Sequence, residues 1–220
     1  MSRDVPINSD GLWAEIMPDA VRQTPALFLD RDGVLVQEVD YLSRVEDIAI
    51  VEGAAATIKV ANSCGIAVVL VTNQSGIARG YYGWDEFAEV QQAILASLWD
   101  DGARIDAVYA CPFHANGQGV YAHPDHPGRK PNPGMLLQAG ADLELDLARS
   151  WMVGDRVIDI EAARRAGLAG ALHVLTGYGD MERVMLTDFT VPGFDLRFGS
   201  SIIDAVSLPV MRMSFSSSRP

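Results

Sequence analysis

Five short apolar runs punctuate the chain, at residues 26–29, 67–71, 107–110, 151–153 and 171–175. They carry almost no polar alternation, which is the pattern of strands buried on both faces of a parallel sheet. Segments of helical spacing lie between them. Residues 54–63 place Ile58 and Ala61 on one face, and residues 84–99 repeat apolar positions at Phe87, Val90, Ile94 and Leu98, the stripe of an amphipathic helix. A third helix is predicted to start at Pro133 behind an Asn132 cap. A fourth spans residues 157–166 and is closed by Arg164, Arg165 and Gly167. The alternation predicts a doubly wound, mainly parallel α/β sheet with helices on both faces. It forms one domain over residues 25–208. Residues 1–24, with a single apolar stretch at 12–17, form an N-terminal arm. Residues 209–220 form a tail that frays from Ser214 onward.

Composition narrows the classes. The 220 residues suit one domain. An apolar fraction of 49% against 21% charged residues gives the chain a real core. Seventeen basic and 29 acidic residues give a formal net charge of −12, which argues against broad nucleic-acid binding and against docking on anionic membranes. The longest strongly apolar run, residues 65–71, is far too short for a membrane span. No apolar stretch follows the N-terminal charges, and only Cys64 and Cys111 are present, so a cytoplasmic protein without a disulfide framework is expected. A monomer is expected, because no apolar stripe is left unassigned. Of the basic residues only Lys59 and Lys130 are lysines.

In doubly wound sheets, ligands sit at the carboxyl ends of the strands. The first run ends in LFLDRDGV, which places Asp30 and Asp32 close together. Two such carboxylates repel, and a hard cation with oxygen ligands relieves the repulsion. The second run ends in VTNQSGIARG, with Thr72 at the strand tip and a loop able to offer N–H groups to an anion. RKPNPG, residues 129–134, sets Lys130 before a helix start, where a compact charge suits phosphate or carboxylate. WMVGDRVID, residues 151–159, supplies Asp155 at a strand end, then Asp159 as a first-turn helix charge or an outer partner. Each segment alone also reads as an ordinary turn. Four consecutive junctions each holding a suitable group do not.

This series resembles the haloacid dehalogenase (HAD) superfamily of phosphotransferases. Within it, VTNQSGIARG, RKPNPGM and MVGD come closest to the branch of D-glycero-D-manno-heptose-1,7-bisphosphate 7-phosphatases and histidinol-phosphate phosphatases, over residues 25–177. The resemblance implies a phosphatase without a large cap domain, acting on a small phosphorylated substrate. Asp30 is then the nucleophile and Asp32 the acid and base. Thr72 and Lys130 hold the phosphoryl group, and Mg²⁺ is held by Asp30, the backbone carbonyl of Asp32, and Asp155. The pocket is implied to comprise Arg31, Glu38, Val39, Asp40, Tyr41, Thr72, Asn73, Gln74, Ser75, Arg129, Lys130 and Arg156. Heptose bisphosphate is the leading substrate, with histidinol phosphate or another small phosphomonoester as the alternative. A receiver-like signalling module would need an aspartate after the third run, where Ala110 and Cys111 stand.

The loop 111–128 departs from the branch. Cys111, His114, His123 and His126 match generic zinc spacing. The branch's own zinc positions correspond to Cys111, Phe113, His126 and Gly128, two of which cannot bind metal. The favoured expectation is a loop without zinc, packed by Phe113, Tyr121 and prolines.

Overall fold

A computed structural model describes residues 5–212, so the expected fraying from Ser214 onward lies outside the described residues. The chain runs β1 (Trp13–Ile16), β2 (Ala26–Leu29), α1 (Ala54–Ser63), β3 (Ala67–Asn73), α2 (Ser75–Arg79), α3 (Trp84–Asp100), β4 (Ala107–Cys111), α4 (Gly134–Asp142), β5 (Trp151–Gly154), α5 (Val157–Arg165), β6 (Gly170–His173), α6 (Gly179–Glu182) and β7 (Asp195–Phe198). Seven strands form one sheet in the order β1-β4-β3-β2-β5-β6-β7, parallel throughout except where β1 runs antiparallel to β4.

Side-chain alternation splits the core into two layers. Leu27, Leu29, Val68 and Leu70 pack with Ile58 of α1, with Phe87, Val90, Ile94 and Leu98 of α3, and with 3-10 turns over residues 202–212. Ala26, Phe28, Val69 and Val71 face the other way, onto Met135, Leu136 and Ala139 of α4 and Ile160 and Ala163 of α5. Helices therefore cover both faces.

Three details differ from the sequence reading. The apolar stretch at 12–17 supplies the sheet's edge strand β1, pairing Trp13 with Ala110 and Ile16 with Ala107. The opposite edge, β7, is a half-exposed DLRF segment without an apolar run to betray it. Helix α4 starts at Gly134, with Pro133 flanking it. Asn132 does not cap it; its amide donates to Asp125 and to the His126 carbonyl instead. Beyond the expected single domain, Val210 and Met211 are also buried in the core.

Candidate active site

The carboxyl ends of β2, β3 and β5 and the loop entering α4 converge on Lys130. Its ammonium lies 2.9 Å from Asp30 Oδ1 and 2.7 Å from Asp159 Oδ1, and it donates to the Val71 carbonyl at 2.8 Å. Three acceptors match its three donors. Burial works against its charge, but Asp159 and Asp30 outweigh burial and hold its pKa above the ordinary lysine value. Asp159 also takes the first-turn position read from the sequence: its Oδ2 accepts from the Arg156 N–H at 3.1 Å at the start of α5.

Asp30, Asp155 and Asp159 are all buried and bring carboxylate oxygens within 4.8 Å of one another. Burial, and then mutual repulsion, push the pKa values of Asp30 and Asp155 well above the carboxylate range, against the pull of Lys130. Asp155 Oδ2 accepts from the Tyr178 N–H at 2.7 Å, while its Oδ1 is buried without a partner. Gly33 (φ +82°) and Gly177 (φ +59°) press on the same carboxylate; a Cβ would fall 2.5 and 2.2 Å from Asp155 Oδ2. Close-set buried carboxylates with an orphaned oxygen are a fitting donor set for a hard divalent cation. Asp32, expected among the metal ligands, does not add its carboxylate to this trio.

The Asp32 side chain turns the other way. It accepts from Arg31 Nε at 3.1 and 3.2 Å, from Gln74 Nε2 at 3.0 Å and from Thr72 Oγ1 at 3.5 Å. Gln74 Nε2 also donates to Thr72 Oγ1 at 2.8 Å, and its Oε1 accepts from the Tyr82 hydroxyl at 2.5 Å. The acid and the threonine are thus tied to one amide.

A cavity of about 370 Å³ opens over this floor. Its walls include Asp30, Arg31 and Asp32, residues 38–41, residues 72–75, Arg129, Lys130 and Arg156, so all twelve expected pocket residues meet there. Asp155 lies behind the wall. Glu38, from the loop after β2, is pushed up to about 7 by burial and then by Asp32, Asp30 and Asp40, with Arg31 opposing. Tyr41 holds a left-handed φ of +59° and meets Tyr81 edge-on at 4.6 Å. Arg79, Tyr82, His114 and Tyr178 also line the cavity. Arg79 ends the stretch VTNQSGIARG and His114 lies in the loop with zinc-like spacing, but the sequence reading gives neither of them, nor Tyr82 or Tyr178, a place in the pocket.

The four candidate zinc ligands do not assemble. Among the described residues the aspartate trio is the only group of three or more acidic, histidine or cysteine side chains close enough to share a metal. His126 stacks on Phe113 with centroids 3.8 Å apart, and its Nδ1 accepts from the Gly128 N–H. His123 Nδ1 accepts from the Asp125 N–H, and His114 turns toward Arg79. Cys111 is buried at the end of β4, where burial pushes its thiol up to about 12. Phe113 also meets Tyr121 edge-on at 5.7 Å.

A family model described as HAD-hydrolase-like matches residues 128–191. A D-glycero-beta-D-manno-heptose-1,7-bisphosphate 7-phosphatase from Mesorhizobium japonicum is 49% identical over 166 residues, covering 74% of this chain and 76% of that protein. A D-glycero-D-manno-heptose-1,7-bisphosphate 7-phosphatase from Thermosynechococcus vestitus is 46% identical over 164 residues, covering 71% and 81%. Among solved structures, a protein from Mesorhizobium loti described as a HAD-like phosphatase superposes with a TM-score of 0.84 at 41% identity, covering 97% of this chain and 99% of its own. The D,D-heptose 1,7-bisphosphate phosphatase of B. bronchiseptica, complexed with magnesium and phosphate, gives 0.71 at 28% identity, covering 83% and 96%. With this sheet, this carboxylate array and identity at that level over most of its length, the chain belongs to the HAD-like hydrolases, among the heptose-1,7-bisphosphate 7-phosphatases.

Proposed function

We propose that the chain is a Mg²⁺-dependent phosphatase that removes the 7-phosphate of D-glycero-D-manno-heptose 1,7-bisphosphate through an aspartyl-phosphate on Asp30. The supporting observation is the Asp30–Lys130 pair at 2.9 Å on the floor of a cavity whose walls also hold Asp32 and Thr72. An Asp30 carboxylate oxygen attacks phosphorus in line with the ester bond. The phosphorus–oxygen bond to the sugar breaks, and Asp32 delivers its proton to the leaving alkoxide. Asp32 then takes a proton from water. The water oxygen attacks phosphorus, the bond to Asp30 breaks, and phosphate leaves with Asp30 restored. Lys130 exchanges its Asp30 contact for a phosphoryl oxygen, and Thr72 Oγ1 donates to another. Asp30, Asp155 and the backbone carbonyl of Asp32 hold Mg²⁺, with Asp159 behind them; when bound, the ion offsets the repulsion between attacking carboxylate and phosphate. All of these groups come from one chain, which suits a monomer acting on a small soluble ester.

Phosphate release from a panel of heptose bisphosphate, histidinol phosphate and other small monoesters, with Mg²⁺ and with EDTA, tests this reading. Fastest Mg²⁺-dependent release from heptose bisphosphate is expected. A preference for histidinol phosphate would keep the chemistry and change the substrate. Release unaffected by EDTA would overturn the metal assignment.

The carboxylate trio also predicts how Mg²⁺ and pH interact. In the metal-free fold Asp30 and Asp155 titrate at about 7 and 8, against 3.8 for an ordinary aspartate. Their contribution to stability is therefore full below the unfolded pKa and is lost as pH rises through the folded values. Mg²⁺ must displace those protons, so its binding tightens over the same window. Added Mg²⁺ should raise Tm only slightly at pH 5 and by several degrees at pH 8. Equal rises at both values, read by thermal melts, would contradict the assignment of these carboxylates as ligands.

A further inference from the structure

We propose that Tyr82 is a positioning residue for the acid Asp32, acting through the side-chain amide of Gln74. The proposal rests on the role given to Asp32 above. The Gln74 amide lies between groups with opposite demands. On its oxygen side, the Tyr82 hydroxyl donates to Oε1 at 2.5 Å and Arg31 Nη2 donates to it at 3.2 Å. On its nitrogen side, Nε2 donates to Asp32 Oδ2 at 3.0 Å and to Thr72 Oγ1 at 2.8 Å. A guanidinium only donates and a carboxylate only accepts. A flipped amide would set its NH₂ against Arg31 and its oxygen against Asp32, so these partners fix which way it faces.

Tyr82 supplies the hold that comes from outside the strand ends. It stands in the connection between α2 and α3, and its ring lies on Gly76, where an added Cβ would fall 2.1 Å from Tyr82 Cε1. Burial raises the pKa of its hydroxyl above the ordinary tyrosine value, against the pull of Arg31, so the group stays a protonated donor. Arg31 is buried too, with its guanidinium 5.4 Å from the centre of the Phe87 ring. Asp32 is thus oriented by Arg31 and Gln74, and Gln74 is seated by Tyr82. Without the Tyr82 hydroxyl, Gln74 Oε1 keeps only the longer bond to Arg31, and the amide is free to swing off Asp32. Proton delivery needs the acid within about 3 Å of the leaving oxygen, so the departure of an alkoxide feels that loss first.

Two readouts on the full chain test this. In the first, kcat/KM is measured with Mg²⁺ for heptose bisphosphate, whose alkoxide needs a proton to leave, and for p-nitrophenyl phosphate, whose phenolate does not. Tyr82→Phe keeps the ring and should lower the first about tenfold and the second far less. Added to Asp32→Asn, Tyr82→Phe should cost nothing further, since the group it positions is already gone. Equal losses on both esters, or losses that add in the double variant, would overturn the proposal. In the second readout, the side-chain NH₂ signals that disappear in Gln74→Met are followed by NMR. They should move in Tyr82→Phe and in Asp32→Asn, and signals that stay put in Tyr82→Phe would overturn the proposal. If the wild-type chain fails on heptose bisphosphate, or Asp32→Asn slows both esters alike, the catalytic reading above falls. The Gln74 signals then decide alone whether Tyr82 holds this amide on Asp32.

Discussion

Asp30→Asn removes turnover, with kcat falling on the order of 10⁴-fold or more, while the fold is kept. The amide has the shape of the carboxylate and still offers an oxygen to Lys130, which sits 2.9 Å from Asp30 Oδ1 in the wild type. What it lacks is the charge and nucleophilicity needed to attack phosphorus. It also removes one of three mutually repelling buried carboxylates. The metal-free variant should therefore melt no lower than wild type at pH 8, even as activity disappears. Phosphate release and thermal melts measured together test both halves. Acid-quenching the wild type with labelled substrate should leave label on the protein, and Asp30→Asn should leave none. Residual turnover within tenfold of wild type would sink the assignment of Asp30.

The second large effect is on stability. Lys130 is buried against Asp30 and Asp159, and Lys130→Met keeps most of its volume while deleting its charge. Breaking a buried ion pair from one side costs about 3–5 kcal/mol, because the remaining charges stay uncompensated. Here they have a way out: the stranded carboxylates take up protons. Loss of the ammonium raises the folded-state pKa of Asp30 further, so the destabilisation should be near its full size at pH 8 and clearly smaller at pH 5. Urea denaturation of both proteins at both pH values measures this. A pH-independent loss would mean that Lys130 matters for packing and not for charge. Phosphatase activity should fall in either case, since Lys130 supplies positive charge to the phosphoryl group.

Much of the fold is written along the chain. The runs at 26–29 and 107–110 fall within β2 and β4, and the stripe of Phe87, Val90, Ile94 and Leu98 is the buried face of α3. These elements are legible because burial on two faces, or on one stripe, leaves its period in the residues themselves. The edges are less so. Whether residues 13–16 are an arm or a strand depends on pairing with β4, nearly a hundred positions away, and DLRF carries no apolar run that marks it as a strand before β6 lies beside it.

The site divides in the same way. Asp30, Asp32, Thr72, Lys130 and Asp155 stand out because chemistry at successive strand ends is a local signal with a known place in this architecture. Their partners are not local. That Asp159 joins Asp30 and Asp155 while the Asp32 carboxylate turns to Arg31 and Gln74 is settled by how three strand ends meet. The histidines of loop 111–128 carry zinc-like spacing, yet His126 stacks on Phe113, His123 meets that ring edge-on and His114 faces Arg79, because ligand geometry depends on where a loop folds and not on its residue count. The residues alone determine the strand order of chemistry, from the aspartate pair through threonine and lysine to the last aspartate. Packing decides which charges are buried together and which stay unpaired, since burial and repulsion arise only between segments that the fold brings together.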